Sequence, residues 1–196
     1  MEIVLATRNR KKVEEIRRIT EGTGIKILTM DDFPGCPETE EDGDTFEENA
    51  VKKAVAVAKY TGKTALADDS GLEVDALGGE PGTRSARYSG EGADDKRNVG
   101  KLLNEMRAFH EGERGGRFVC CIALASPDGT IRTFFGHAEG AIGNVPKGFR
   151  GFGYDPVFYP RGFLQTFGEM SNEGKDALSH RGKALEKLKK HLKSIC

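Results

Sequence analysis

Two adjacent carboxylates and a hydroxyl close a short apolar run in Ala67-Asp68-Asp69-Ser70-Gly71. An ionised carboxylate is costly to bury without a partner, and the residues that follow supply no Lys or Arg before Arg84. A divalent cation would provide the missing charge. Mg²⁺ takes hard oxygen ligands and needs only one or two carboxylates when substrate phosphates complete its shell. The loop "PETEEDGD" offers further acids, Glu40 and Glu41, one of which can share the ion with Asp69. Ser70 can donate to a phosphate oxygen. The competing readings are plain: Asp, Ser and Gly also favour simple turns, and an acid-rich loop is otherwise a solvated surface.

A phosphate needs positive charge and N–H donors, and "LATRNRKKVEEI" supplies both. A strand ends near Ala6 and a helix begins near Arg10, so the free N–H groups of a helix start face the turn between them. Thr7 and Asn9 can hydrogen-bond there, and Arg8, Arg10, Lys11 and Lys12 bring cations. The sequence lacks the GxxxxGK[ST] pattern of a Walker A loop. An ordinary capped helix remains the alternative, although cations at a helix N-terminus oppose its dipole by about 0.3–1 kcal/mol each.

Two further stretches suit a nucleotide. In "GFGYDP", Gly151 and Gly153 permit close backbone approach, Phe152 can stack on a flat ring, and Tyr154 and Asp155 add polar edges; an aromatic turn packed on the core is the alternative. In "NEGKDALSHRGKAL", Lys175 and Arg181 are donor-only groups suited to a phosphate or a base carbonyl, and His180 stands beside them. A His in such a place also serves as a cap or surface residue. No Cys/His or Ser/His/Asp nucleophilic arrangement is evident.

These residues need elements to position them. The sequence predicts strands at 2–6 and 25–29, helices at 10–21, 45–60 and 93–109, strands at "TALAD" and "LEVDAL", a hairpin over 117–142 turning at Pro127-Asp128-Gly129, and a last helix over 179–194. The inward faces are Val13, Ile16 and Ile19; Phe46, Ala50, Val51, Ala54, Val55 and Ala58; Val99, Leu102, Leu103 and Met106; and Ala184, Leu185, Leu188 and Leu192. Asp44 and Glu47 fit a capping box. Early alternation of strands and helices followed by a hairpin argues for an α/β fold on a mixed sheet. No linker separates independent domains, so 1–196 reads as a single domain.

The 196 residues are 37% hydrophobic and 31% charged with a formal net charge of −1, so no global basic field recruits nucleic acid or anionic lipid, and any anion-binding surface must be local. No apolar run approaches the ~20 residues of a membrane span, and the order of charge and apolar residues at the N-terminus is not that of a secretory signal. A cytoplasmic location is the expectation. The cysteines at 36, 120, 121 and 196 form no CxxC and read as small buried hydrophobes.

The motifs "ATRNRKK", "EEDGDTFEENAVKKA", "ADDSGLEVDALGGEPGTRSARYSG", "GFGYDPVF" and "SHRGKAL", in this order along nearly the whole chain, resemble the inosine triphosphate pyrophosphatase family. Arg8 departs from the pattern, since many relatives carry a small residue there. The resemblance implies an elongated mixed β-sheet flanked by helices, with two lobes around a central cleft, commonly as a homodimer. It implies hydrolysis of ITP, dITP and XTP to the monophosphate and pyrophosphate with Mg²⁺. Carried onto this sequence, Thr7, Arg8, Asn9, Arg10, Lys11 and Lys12 would hold the triphosphate with Ser70. Glu40 and Asp69 would hold the metal, and Asp69 would accept the proton of the attacking water. Phe152, Gly153, Tyr154 and Asp155 would form the base pocket, and Lys175, His180 and Arg181 would complete nucleotide recognition. A pyrophosphatase for pyrimidine or modified nucleotides and a non-catalytic nucleotide- or RNA-binding module are the competing functions; clustered carboxylates disfavour the second.

Overall fold

The first strand, β1 (Glu2–Leu5), has Ile3, Val4 and Leu5 wholly buried, so it is covered on both faces as interior parallel strands are. Residues 1–195 are described in this computed structural model; Cys196 lies outside them. The elements that follow are α1 (Arg10–Thr20), β2 (Lys26–Thr29), α2 (Phe46–Thr61), β3 (Ala65–Val74), α3 (Asp95–Glu105), β4 (Gly115–Ala125), β5 (Ile131–Ile142), β6 (Phe158–Pro160), α4 (Asn172–Leu178) and α5 (His180–Ile195). The strands form one sheet in the order β2-β1-β3-β4-β5-β6. β1 pairs in parallel with β2 and β3, whereas β5 and β6 are antiparallel. The α/β class and the mixed sheet follow as the sequence implied.

The chain divides into two compact units, the first made of Met1–Asp69, Cys120–Gly136 and Arg181–Cys196, the second of Ser70–Val119 and His137–His180. In the first unit one core joins Ile3 and Leu5 of β1, Ile16 of α1, Leu66 of β3, Cys120, Ile122 and Leu124 of β4, and Ala184, Leu185, Leu188 and Leu192 of α5. Val13 and Ile19 pack at its margin. The apolar spacing of both helices is therefore realised. In the second unit Leu72, Val74, Val99, Leu102, Met106 and Tyr154 share a core with Phe118, Phe158 and Phe167. The rings of Phe118 and Phe158 are tilted with centroids 4.7 Å apart, a favourable aromatic geometry.

Five local expectations change. "TALAD" and "LEVDAL" are parts of one continuous strand, β3, so Asp68-Asp69-Ser70-Gly71 is not a turn. The α2 capping box lies one residue later than expected. Thr45 Oγ1 accepts from the Glu48 N–H at 3.1 Å, and the Glu48 carboxylate accepts from the Thr45 N–H at 3.1 Å. Asp44 cannot serve because Thr45 occupies the residue immediately before the first helical turn. The buried stripe of α2 is Phe46, Asn49, Ala50, Lys53, Ala54, Val57 and Ala58, while Val51 and Val55 are only half-buried. That stripe keeps the 3.6-residue period and admits two polar residues that an apolar count passes over. Finally, α3 ends at Glu105 and continues as a short 3₁₀ turn, and α4 was not foreseen.

The hairpin turn falls where the sequence put it. Gly129 adopts φ +90°, the Thr130 N–H donates to Asp128 Oδ1 at 2.9 Å, and the Ser126 N–H donates to the Thr130 carbonyl. Cys36, Cys120 and Cys121 are free and buried. Among the described residues, no helix is long and apolar enough to cross a membrane.

The cap on α2 gives a direct check. Thr45→Ala removes the acceptor for the Glu48 N–H and is expected to lower stability by about 0.5–2 kcal/mol in denaturant unfolding, with an unchanged m-value.

Candidate active site

Successive side chains of a strand point to opposite faces, and this separates the two aspartates of β3 into different environments. Asp68 is 1% exposed. Its Oδ2 accepts from Arg181 Nη2 at 2.8 Å and Nε at 3.2 Å, and Lys12 Nζ lies 3.2 Å away. The other side of the Arg181 guanidinium donates to Glu15 of α1. Burial works to raise the Asp68 pKa, but Lys12, Arg181 and Lys53 outweigh it and hold the carboxyl far below the ordinary carboxylate range. The partners that the neighbouring sequence did not supply come from α1 and α5, so Asp68 needs no ion to neutralise it.

Asp69 faces α2. Its Oδ2 accepts from Asn49 Nδ2 at 3.2 Å, and its Oδ1 lies 3.3 Å from Lys53 Nζ. The same ammonium donates to Glu41 Oε1 at 2.6 Å and to the Asp68 carbonyl at 2.8 Å. Two carboxylates thus meet at one positive charge, and this meeting point is built by the polar members of the α2 stripe. Burial pushes the Asp69 pKa up, and Lys53 and Lys12 only partly oppose it. A partly desolvated carboxyl with a raised pKa is a better proton acceptor than a surface Asp.

The acid that reaches this cluster is Glu41. Glu40, expected from the resemblance to hold the metal, is exposed, and its neighbour takes the inward position. Among the described residues no three His, Cys, Asp or Glu side chains gather into a metal cage. A two-acid set of hard oxygens fits Mg²⁺, which keeps waters and phosphate oxygens in its remaining positions; it does not fit a closed structural zinc site.

At the β1–α1 corner, Thr7 Oγ1 accepts from the Asn9 N–H at 3.2 Å, and Asn9 caps α1 by accepting from the N–H groups of Lys11 and Lys12. Those two donors are therefore occupied, and the side chains are left as the main means of holding a phosphate. Lys12 is drawn inward to Asp68. Arg8 donates to Asp31 at 3.0 Å and to the Cys36 carbonyl at 3.1 Å, and pairs with Glu38 at 3.0 Å, which ties it to the segment after β2. Arg10 and Lys11 are exposed at the helix start. The pairings of Arg8 and Lys12 offset two of the cations gathered near the positive end of the helix dipole.

The second unit holds the other expected residues. Gly151 and Gly153 adopt φ +74° and +61°, and a Cβ on Gly151 would come within 2.0 Å of Asp155 Oδ2. The turn they permit closes on that oxygen, which accepts from the Phe152 N–H at 2.8 Å and from Lys175 Nζ at 2.7 Å. The ammonium of Lys175 lies 4.9 Å from the Phe152 ring centroid, a cation–π distance. Ring, ammonium and carboxylate are thus brought together, as a flat polar ligand requires. Tyr154 is buried and its hydroxyl donates to the Ser85 carbonyl at 2.9 Å. His180 stacks on Phe118 with centroids 4.7 Å apart and planes 9° from parallel. Ser70 is half-buried. Arg181, expected to complete nucleotide recognition, pairs with Asp68 and Glu15 in the first unit.

Sequence reasoning missed Glu15, Asn49, Lys53 and Ser85. For Asn49 and Lys53 the signal was present: they stand at helical spacing inside a stripe of buried alanines in "FEENAVKKA". Glu15 gave no such sign, because its partner Arg181 lies 166 residues away.

The model of the Ham1 family matches residues 3–191. A protein of Geobacter sulfurreducens named dITP/XTP pyrophosphatase is 53% identical over 190 residues, 97% of this chain and 96% of that one. One of the same name from Desulforamulus reducens is 51% identical over 187 residues, 95% of this chain and 93% of that one. The solved structure of a HAM1 protein from Coxiella burnetii matches with a TM-score of 0.90 at 41% identity, covering 99% of each chain.

The Asp68 network makes a pH-dependent contribution to stability. A carboxyl whose pKa is depressed on folding binds fewer protons in the folded state, so its contribution is present above the unfolded value, near 3.8, and is lost as pH falls through the folded value. Asp68→Asn leaves Lys12 and Arg181 without that charge. It is expected to lose about 3–5 kcal/mol at neutral pH, and its urea stability should decline less steeply than wild type as pH is lowered below 4.

Proposed function

The chain belongs to the Ham1 family, and from that premise we propose that it hydrolyses deaminated purine nucleoside triphosphates (ITP, dITP and XTP) to the monophosphate and pyrophosphate, with Mg²⁺ held by Glu41 and Asp69. The observation that carries the metal and chemistry assignment is the convergence of those two carboxylates on a single ammonium. A nucleoside triphosphate pyrophosphatase must neutralise a polyanion while activating water, and acids beside lysines meet both needs. When bound, Mg²⁺ supplies positive charge that offsets the phosphates.

The protein's own groups do the rest. Asp69 accepts the proton of the attacking water as a positioned general base. Asn49 holds one oxygen of that carboxylate and fixes its orientation. Lys12 and Lys53 stabilise negative charge as it builds on the leaving pyrophosphate, with Arg10 and Lys11 at the helix start drawing in the triphosphate. In the second unit, Phe152 stacks on the base and Lys175, oriented by Asp155, donates to the carbonyl at position six of the purine. Adenine presents an amino donor there, so its donor would face a donor and both would be unpaired. Sites of this kind discriminate by up to about 10⁴–10⁵.

Turnover of a triphosphate panel tests the assignment. ITP, dITP and XTP are expected to yield monophosphate and pyrophosphate with Mg²⁺, with ATP far poorer and all activity lost to EDTA. Equal turnover of pyrimidine nucleotides, or release of orthophosphate, contradicts it. Asp69→Asn should keep its circular dichroism and lose roughly 10²–10⁴-fold in kcat, the usual extent of general-base catalysis. Lys175→Ala should narrow the ITP-to-ATP ratio of kcat/KM, chiefly through a weaker hold on ITP.

A further inference from the structure

The stretch "GTRSARY", residues 82–88, takes no part in the chemistry assigned above, yet hydrogen bonds from two distant segments end on one of its residues. Ser85 is buried. Its Oγ accepts from the Leu72 N–H at 2.9 Å and donates to the Gly82 carbonyl at 2.7 Å. Its own carbonyl accepts from the Tyr154 hydroxyl at 2.9 Å. Leu72 lies on β3 three residues after Asp69, and Tyr154 lies inside the Gly151–Asp155 turn. Leu72, Tyr154 and Tyr88 share one core cluster.

We propose that Ser85 is a positioning residue that fixes the spacing between β3 and the turn that carries Phe152, and that Tyr154 acts through this link and not by contact with the base. The inference rests on reading that turn as the base-recognition element. A phenol has a single O–H to donate, and Tyr154 directs it to the Ser85 carbonyl from a buried position. A strand N–H buried without an acceptor costs as much as a lost hydrogen bond, so Leu72 is bound to Ser85 as firmly as a ladder partner would hold it. Movement of residues 82–88 therefore shifts the recognition turn and the strand together.

The test combines amide exchange with kinetics on Ser85→Ala, Tyr154→Phe and the double variant. Tyr154→Phe removes one oxygen from the recognition turn, and it is expected to speed exchange of the Leu72 amide, to which it has no bond. With dITP, Tyr154→Phe should raise KM and Ser85→Ala should lower kcat, each about two- to tenfold, the range of one neutral hydrogen bond. The double variant should lose less in kcat/KM than the product of the two single losses, as members of one linkage do. Unchanged Leu72 exchange in Tyr154→Phe overturns the proposal. So does a Ser85→Ala enzyme that melts earlier but keeps wild-type kcat and KM, because a purely stabilising residue behaves that way. Should Ser85→Ala fail to fold, the Leu72 exchange in Tyr154→Phe decides alone. Should wild type leave dITP intact, the assigned activity fails, and the exchange measurement still decides whether the linkage exists.

Discussion

Everything at the β3 site depends on the side-chain alternation of one strand. Asp68 and Asp69 are neighbours in sequence, and a strand sends them to opposite faces. Asp68 meets Lys12 and Arg181 and is fixed as a buried anion. Asp69 meets Asn49 and shares Lys53 with Glu41. Had the segment formed the turn that its composition also suits, the two carboxylates would not be sorted in this way.

The division has an energetic logic. Breaking a buried ion pair by removing one partner costs several kcal/mol, so the Asp68 face ties together β3, α1 and α5, elements from the middle and both ends of the chain. The Asp69 face is less saturated with positive charge: burial raises that carboxyl's pKa, whereas at Asp68 and Glu41 the neighbouring cations outweigh burial and lower it. Adjacent residues of one strand thus carry opposite shifts, set by which cations each face meets. In the second unit the buried Asp155–Lys175 pair does comparable work, closing a glycine turn and aiming an ammonium at once.

Periodicity made most of the fold legible. The stripes of α1 and α5, the hairpin turn and the parallel start of the sheet all rest on local spacing, and local spacing is what a sequence displays. The motifs placed the acids, the cationic corner and the aromatic glycine turn. What stayed hidden was pairing at long range. Asp68 looked unpaired because its cations lie 56 and 113 residues away along the chain (68 − 12 and 181 − 68). Glu40 and Glu41 are chemically equivalent in an acidic loop, and only the path of the backbone brings Glu41 beside Lys53. Asn49 and Lys53 were discounted because a hydrophobic count treats a polar residue in a stripe as noise, when it is a request for a buried polar partner. Tyr154 offered a polar edge that the fold had already committed to Ser85.

The central claim is that Asp69 and Glu41, and not Asp68 or Glu40, hold the catalytic ion. A crystal structure with Mn²⁺ in place of Mg²⁺ and a non-hydrolysable dITP analogue would locate the metal by its anomalous signal. The account predicts a peak within ligand distance of the Asp69 and Glu41 carboxylates, with Asp68 still bound to Arg181. A peak on Asp68 or Glu40, or an ion held by the nucleotide alone away from β3, would contradict it.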